Sequence, residues 1–554
     1  MASGAPVFDD FTTTGVRWSG SGSVTSTLGG PGGVVAWSIA PAALLDLSGI
    51  FFSGSTVALA SFLPFDFAAE LRAAFAAWSA VADITFIQVE DGGGDIGGGT
   101  FPTIRIVGGF IDGQSGSNVL ARAFFPHASA FGGDIVFDSS NTNFYANPAS
   151  FRLTALHEIG HALGLNHENV ALAIMNPVIN TGLGGLQADD IAGIRAVYGS
   201  GPAGGPFVFS LAAAQVALTL VEGPALLRIV GNSLDNRIEG AGGDEFLSGR
   251  AGGDELFGNG GLDHLIGGAG ADSLDGGAGI DFANYEDAAG PVVAKLPDPG
   301  GNLGDAAGDT YTSIEGLIGS AFDDVLGIAG GGGSIWALGG NDYLFGGAGN
   351  DDLHGQAGND HLAGGAGADA LDGGAGIDFA NYSTAADPVL ANLIDSSGNV
   401  GEAAGDQYGS IEGVIGSAFD DTASIGNDGG SIWALGGDDY LFGGAGNDDL
   451  HGQDSADVLF GSGGADLLDG GAGDDVFVFG RGSAHGDTVL DFAGNGAAAG
   501  DSLIFSGYGT APEGATFTQV DATHWSINSA DGQAQDVVTF TNAAAIHVSD
   551  YLFV

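Results

Sequence analysis

The chain has 554 residues, 105 of them glycine and none cysteine, with 11 basic against 68 acidic side chains and a formal charge of -57. That length exceeds one compact core, so several domains are expected. The charge excludes nucleic acid and anionic lipid, which would repel it, and favours a cation as partner; without disulfides, stability has to come from packing or metal.

Residues 1–32 read as a flexible segment, and "MASGAPVFDDFTTTG" lacks the basic and apolar regions of a signal peptide. Val35 to Ile39 reads as a strand. Asp66 to Val81 predicts an alanine-rich helix with Leu71, Phe75 and Trp78 on one face. "ITFIQV", "TIRIVG", "VLARAFF" and "DIVF" alternate as strands. A second helix is predicted from about Ser150 to Leu163, and a third in "LQADDIAGIRAVYG" with Gly199 as its stop. "GPAGG" at 201–205 reads as a linker, and the most apolar stretch, Pro206 to Val230, is broken by Gln215, Glu222 and Pro224. No membrane span is expected.

The second predicted helix opens the stretch "HEIGHALGLNH", residues 157–167, which runs on past its end. Positions i and i+4 share a helix face, so His157 and His161 can point at one ion. Gly164 can take the left-handed conformation that reverses the chain and returns His167 to the same ion. Three imidazoles and a water suit a tetrahedral zinc with one open position. Glu158, one step round from His157, is placed to take the proton of a water that zinc has acidified. A helix with solvent-facing or core histidines is the bland alternative, and Gly164 and His167 at this spacing argue against it.

The pattern HExxHxxGxxH resembles the signature of the metzincin metalloendopeptidases, of the matrixin and serralysin type. The resemblance covers roughly residues 33 to 200. It implies one catalytic zinc on His157, His161 and His167, with Glu158 as general base. It also implies a methionine turn under the zinc at Met175, and an extended substrate lying along the strand Ala121, Arg122, Ala123. Pro177 stands where serralysins carry a tyrosine, so no fifth protein ligand is expected, and Glu168 stands where serralysins usually have proline. Arg122 and Val136 occupy positions where matrixins hold histidines of a structural zinc, so that second zinc is expected to be absent. His127 reads as a surface histidine, and without cysteine no cysteine switch can exist.

Beyond residue 230 the chain repeats. Asp254, Asp263, Asp272 and Asp281 lie nine apart; so do Asp342, Asp351, Asp360, Asp369 and Asp378, and Asp439, Asp448, Asp457, Asp466 and Asp475. In "GGAGADSLD" glycines let the backbone turn its carbonyls inward, the sixth residue adds a carboxylate, and the eighth (Leu265, Leu274, Leu353, Leu362, Leu371) can fill a narrow core. The match is to the nonapeptide calcium-binding repeat of RTX proteins, a parallel β-roll. It implies several structural calcium ions on Asp254, Asp263, Asp272, Asp342, Asp351, Asp360, Asp369, Asp439, Asp448, Asp457 and Asp466. Ser455 replaces a glycine, and the first repeats slip by one between Asp244 and Asp254. A disordered acidic linker is the bland reading, and the fixed period argues against it. "GGSIWALGG", "GGAGIDFANY" and the "SIEG" blocks recur at an offset of 97, as Ser334 and Ser431 show.

The expected organisation is multidomain: an α/β (α+β) metzincin catalytic domain (33–200), a linker and lead-in strand (201–230), and all-β parallel β-roll arrays at 231–285, 331–382 and 429–480. β-rich spacers lie at 286–330 and 383–428, and a C-terminal β region at 481–554. Cytosolic calcium is too scarce to fill weak sites, so an extracellular location is expected. RTX proteins imply export from a Gram-negative cell by type I secretion apparatus, and "SDYLFV" resembles the serralysin ending, although it also reads as a final strand. The expected function is a secreted, monomeric zinc endopeptidase acting on protein or peptide. The rival is a calcium-binding adhesion protein whose protease domain is secondary or self-processing. A pore-forming toxin would need long apolar helices, which are missing.

Overall fold

The computed structural model describes residues 227–554 apart from 329, 495–499 and 543–544. Before residue 227 it describes 58–80, 82, 135–139, 145–163, 165, 185–187, 190, 191, 194 and the strands named below, together with a short hairpin at 17–18 and 24–25. The chain forms two compact units, one of residues 1–281 with 312–314, the other of 282–311 with 315–554.

In the first unit, Val34–Ile39 runs parallel to Thr85–Val89 on one side and to Thr103–Gly109 on the other. Thr103–Gly109 is parallel to Ile135–Asp138, against which Ala121–Ala123 lies antiparallel as the outermost strand among the described residues. Two helices pack on this sheet. Helix α1 is Phe67–Ser79, and Asp66 is its cap rather than its first residue, accepting from the Ala69 amide at 3.0 Å. Helix α2 is Pro148–Ala162; Asn147 caps it and Pro148 opens it, two residues before the expected start. Trp37, Phe75, Trp78, Ile104, Phe137, Phe151 and Ile159 form the shared core. Of the third expected helix, Asp190, Ile191 and Ile194 are helical and the rest lies outside the described residues.

The same unit contains the start of a parallel roll. Phe207–Ser210, Leu227–Val230, Glu245–Ala251 and His264–Ala269 stack in one sheet. Ala217–Glu222, Arg237–Glu239, Glu255–Gly261 and Ser273–Gly279 stack in another. Partners are 18 residues apart, as in Phe246 with His264, so two nonapeptides make one turn. Leu247, Leu256, Leu265 and Leu274 fill the space between the sheets. Ala217–Glu222 also pairs antiparallel with Thr85–Val89, the far edge of the helix-bearing sheet.

The second unit is a longer roll of the same kind. Leu353, Leu362, Leu371, Leu441, Leu450 and Leu468 line its interior. The segments read as spacers are rungs of this roll. Ala370–Asp372 pairs in parallel with Gln407–Gly409, and Phe379–Asn381 with Gly413–Ile415, which in turn pairs with Ser431–Trp433. Each spacer therefore carries the strand stack forward, and within the second one Leu390–Asn392 adds a strand parallel to Thr422–Ser424. The final "YLF" is a strand, Tyr551–Phe553, parallel to Ser502–Ser506.

Candidate metal centres

Helix α2 holds the first candidate site. His157 and His161 lie one turn apart, their rings 4.7 Å between centroids and perpendicular. His157 and Glu158 are 5% and 6% exposed, on a helix whose other face is pinned by Phe151, Leu156 and Ile159. Trp78 of α1 reaches across and donates its indole N–H to the Leu156 carbonyl at 3.1 Å, beside His157. After the helix the chain turns sharply, with the Leu165 amide donating to the Gly160 carbonyl at 2.9 Å. That turn brings the Leu165 carbonyl to 2.7 Å from His161 Nδ1. A carbonyl only accepts, so Nδ1 carries the proton and Nε2 offers a lone pair. The donor set suits a borderline cation such as zinc. Gly164, His167, Glu168, Met175, Pro177, His127 and the side chain of Arg122 lie outside the described residues. Arg122 and Val136 are direct partners across the edge pair.

The second set of sites repeats along the roll. Each array aspartate uses one oxygen to accept the amide of the residue 18 positions earlier: Asp254 N–H donates to Asp272 Oδ1 at 2.7 Å, Asp342 N–H to Asp360 Oδ1 at 2.8 Å, and Asp448 N–H to Asp466 Oδ1 at 3.0 Å. The other oxygen is left over. Oδ2 of Asp254, Asp263, Asp342, Asp351, Asp360, Asp369, Asp439, Asp448, Asp457 and Asp466 is buried with no hydrogen-bond partner among the described residues. Asp272 continues the same ladder.

Glycine makes room at these oxygens. A Cβ on Gly355 would fall 2.2 Å from Asp360 Oδ2 and 2.7 Å from the Gly373 carbonyl; on Gly346 it would fall 2.6 Å from both Asp351 Oδ2 and the Gly364 carbonyl. The space a side chain would fill is therefore lined by a carboxylate and a backbone carbonyl. These are the hard oxygen donors calcium takes. Burial pushes the carboxyls of Asp254, Asp263, Asp369 and Asp448 up to about 6, those of Asp342 and Asp457 to about 7, and that of Asp439 to about 8. Ionised, these groups need a cation beside them.

The ladder also includes residues that the expected calcium ligands left out. Asp378 and Asp475 close their arrays with the same geometry and the same unpartnered Oδ2. In the first array the ladder position belongs to Glu245, whose amide donates to Asp263 Oδ1 at 2.8 Å. Asp244 instead accepts from the Leu262 amide on the exposed outer line. Extending the 18-residue register back from Asp263 finds Glu245, which resolves the apparent slip.

Residues 61–199 match the matrixin family, Peptidase M10, and six overlapping stretches between 228 and 483 match the RTX calcium-binding nonapeptide repeat: 228–256, 248–283, 328–353, 345–380, 425–456 and 451–483. The chain joins a matrixin domain to RTX repeats. Among similar proteins, matrix metalloproteinase-16 of Rattus norvegicus is 37% identical over 147 residues, covering 23% of this chain and 23% of that protein. Stromelysin-1 of Equus caballus is 35% identical over 139 residues, 24% of this chain and 28% of that one. The hatching enzyme of Paracentrotus lividus is 37% identical over 146 residues, 24% and 23%. The chain thus spans about a quarter of the length of these relatives, and the shared part is the matrixin domain. Matrixins use a catalytic zinc and RTX repeats bind calcium, which fits the helix α2 histidines to the first metal and the carboxylate ladder to the second. No helix among the described residues is long and apolar enough to cross a membrane.

Proposed function

We propose that this chain is a zinc-dependent endopeptidase, built on residues 33–200 and carried by a calcium-folded roll outside the cell. The supporting observation is the placement of His157, Glu158 and His161 on one helix, with the Leu165 carbonyl holding the His161 ring through its Nδ1 proton. His157, His161 and His167 would hold zinc, and Met175 would floor the site. When bound, zinc supplies a Lewis acid that polarises the scissile carbonyl and lowers the pKa of water. Glu158 takes the proton of the attacking water and passes it to the leaving amine. The substrate lies extended along Ala121–Ala123, which is the edge strand of the sheet among the described residues, and backbone hydrogen bonds hold it there. Buried carboxylate oxygens without donors among the described residues suit a calcium-rich medium, which supports an extracellular location and type I secretion from a Gram-negative cell.

The test is cleavage of unfolded casein by the full-length protein with calcium and zinc. Glu158→Ala should remove cleavage, a fall of at least about 100-fold, while zinc content and circular dichroism stay unchanged. Full-rate cleavage by that variant would sink the mechanism. An inert but folded, zinc-loaded wild-type protein would favour the adhesion reading instead.

A further inference from the structure

At each spacer the carboxylate ladder meets a tyrosine. Asp406 occupies a ladder position: the Asp369 amide donates to its Oδ1 at 3.0 Å, although 37 residues separate the two rather than 18. Its Oδ2 does not face an open cradle. It accepts the Tyr382 hydroxyl at 2.9 Å, and Tyr382 is fully buried. That hydroxyl is 2.6 Å from the Tyr408 hydroxyl, which accepts from Asn399 Nδ2 at 3.1 Å. The glycine five residues before the carboxylate also differs. A Cβ on Gly401 would meet the Pro388 carbonyl at 2.5 Å, whereas on Gly355 it would meet the Asp360 carboxylate.

The first spacer repeats this cluster. Tyr285 donates to Asp309 Oδ2 at 3.0 Å and lies 2.6 Å from the Tyr311 hydroxyl, which accepts from Asn302 Nδ2 at 3.0 Å. The far end of each spacer is closed as well. Asp324 accepts from the amides of Val292 and Ser320 and from the Ser320 hydroxyl, and Asp421 from the corresponding groups of Val389 and Ser417. Array aspartates such as Asp360 keep one oxygen without a donor; both oxygens of Asp324, Asp406 and Asp421 are taken by protein.

We propose that each spacer inserts a calcium-free rung into the roll, in which a buried tyrosine hydroxyl takes the place that the cation has at array rungs. The roll then continues through the spacer without metal, and the calcium ions of the second and third arrays form separate clusters. A hydroxyl donor satisfies the otherwise bare oxygen, and the Tyr–Tyr–Asn chain holds that hydroxyl in place. The proposal rests on the calcium reading of the arrays, and its test separates the two.

Calcium bound per full-length chain is counted by native mass spectrometry, and the calcium midpoint of folding is read by circular dichroism. Asp360→Asn should lose at least one calcium and raise the midpoint several-fold. Asp406→Asn should leave the count unchanged, because asparagine still accepts from the Asp369 amide and its own amide can donate to Tyr382. Tyr382→Phe bares Asp406 Oδ2, so the chain should take up one more calcium or need a several-fold higher calcium concentration to fold. Loss of calcium in Asp406→Asn, or a Tyr382→Phe protein changed in neither reading, overturns the proposal. An unchanged count in Asp360→Asn overturns the calcium reading beneath it, so the variant that misbehaves tells which has failed.

Discussion

The matrixin domain and the roll treat buried polar groups in opposite ways. Around helix α2 protein meets protein: Trp78 donates to the Leu156 carbonyl and the Leu165 carbonyl fixes the His161 ring. In the arrays of the roll a row of carboxylate oxygens is buried without donors among the described residues, in the same place from repeat to repeat. A core of leucines and aromatics can hold the first region together. The arrays have a narrow stack of mostly leucine between their sheets, and their charges oppose it until a cation arrives. Under the proposed function, the metal in one region would serve chemistry, and in the other would serve folding.

The strongest challenge to this contrast is calcium removal. Chelation at pH 8 should cost the full-length chain most of its β signal in far-ultraviolet circular dichroism, and readdition of millimolar calcium should restore it. A chelated chain that keeps its spectrum would show that the unpartnered oxygens do not need a cation.

The next effect is one of sign. Aspartates normally titrate at 3.8, but burial raises Asp342 and Asp457 to about 7 and Asp439 to about 8 in the folded roll. A group whose folded pKa is raised stabilises the fold in its protonated form. That contribution is whole below the unfolded value and is lost as pH rises through the folded one. The calcium-free roll should therefore be more structured near pH 4.5 than at pH 8, with the loss spread between about pH 4 and 8. Chelated samples followed by circular dichroism across this range provide the check; better folding at the alkaline end would contradict it.

Smaller substitutions sharpen the comparison. Leu353→Ala removes a fully buried rung leucine and should cost about 2–5 kcal/mol in calcium-loaded protein, measured by chemical denaturation. Trp78→Phe keeps an aromatic ring between the helices but loses the bond to Leu156, and should cost about 0.5–1.5 kcal/mol. A cost above about 3 kcal/mol would mean that the ring's packing, rather than its hydrogen bond, braces α2.

Much of both regions was legible before any coordinates. The spacing of His157 and His161 follows from helical geometry, and the nine-residue recurrence of aspartate follows from a strand and a turn repeated without change. The strand at Ala121–Ala123 and the starts of the two helices at Phe67 and Pro148 sit where local patterns place them, within a residue or two. Reading failed where register had to be carried through an interruption. Asp244 drew attention because it is an aspartate, yet Glu245 holds the ladder position. The spacers looked like separate segments because 37 residues replace 18 between Asp369 and Asp406, although the strands on either side still pair.

The sequence by itself determined what repeats: one helix with two histidines a turn apart, a nine-residue carboxylate, and a block copied at 97. Such signals are local, because backbone geometry converts fixed spacing into a shared face. Only the tertiary structure decided which oxygens find a donor. Tyr382 meets Asp406 across 24 residues and Trp78 meets Leu156 across 78. Whether a buried polar atom is satisfied depends on what the folded chain brings beside it, and no spacing along the chain encodes that directly.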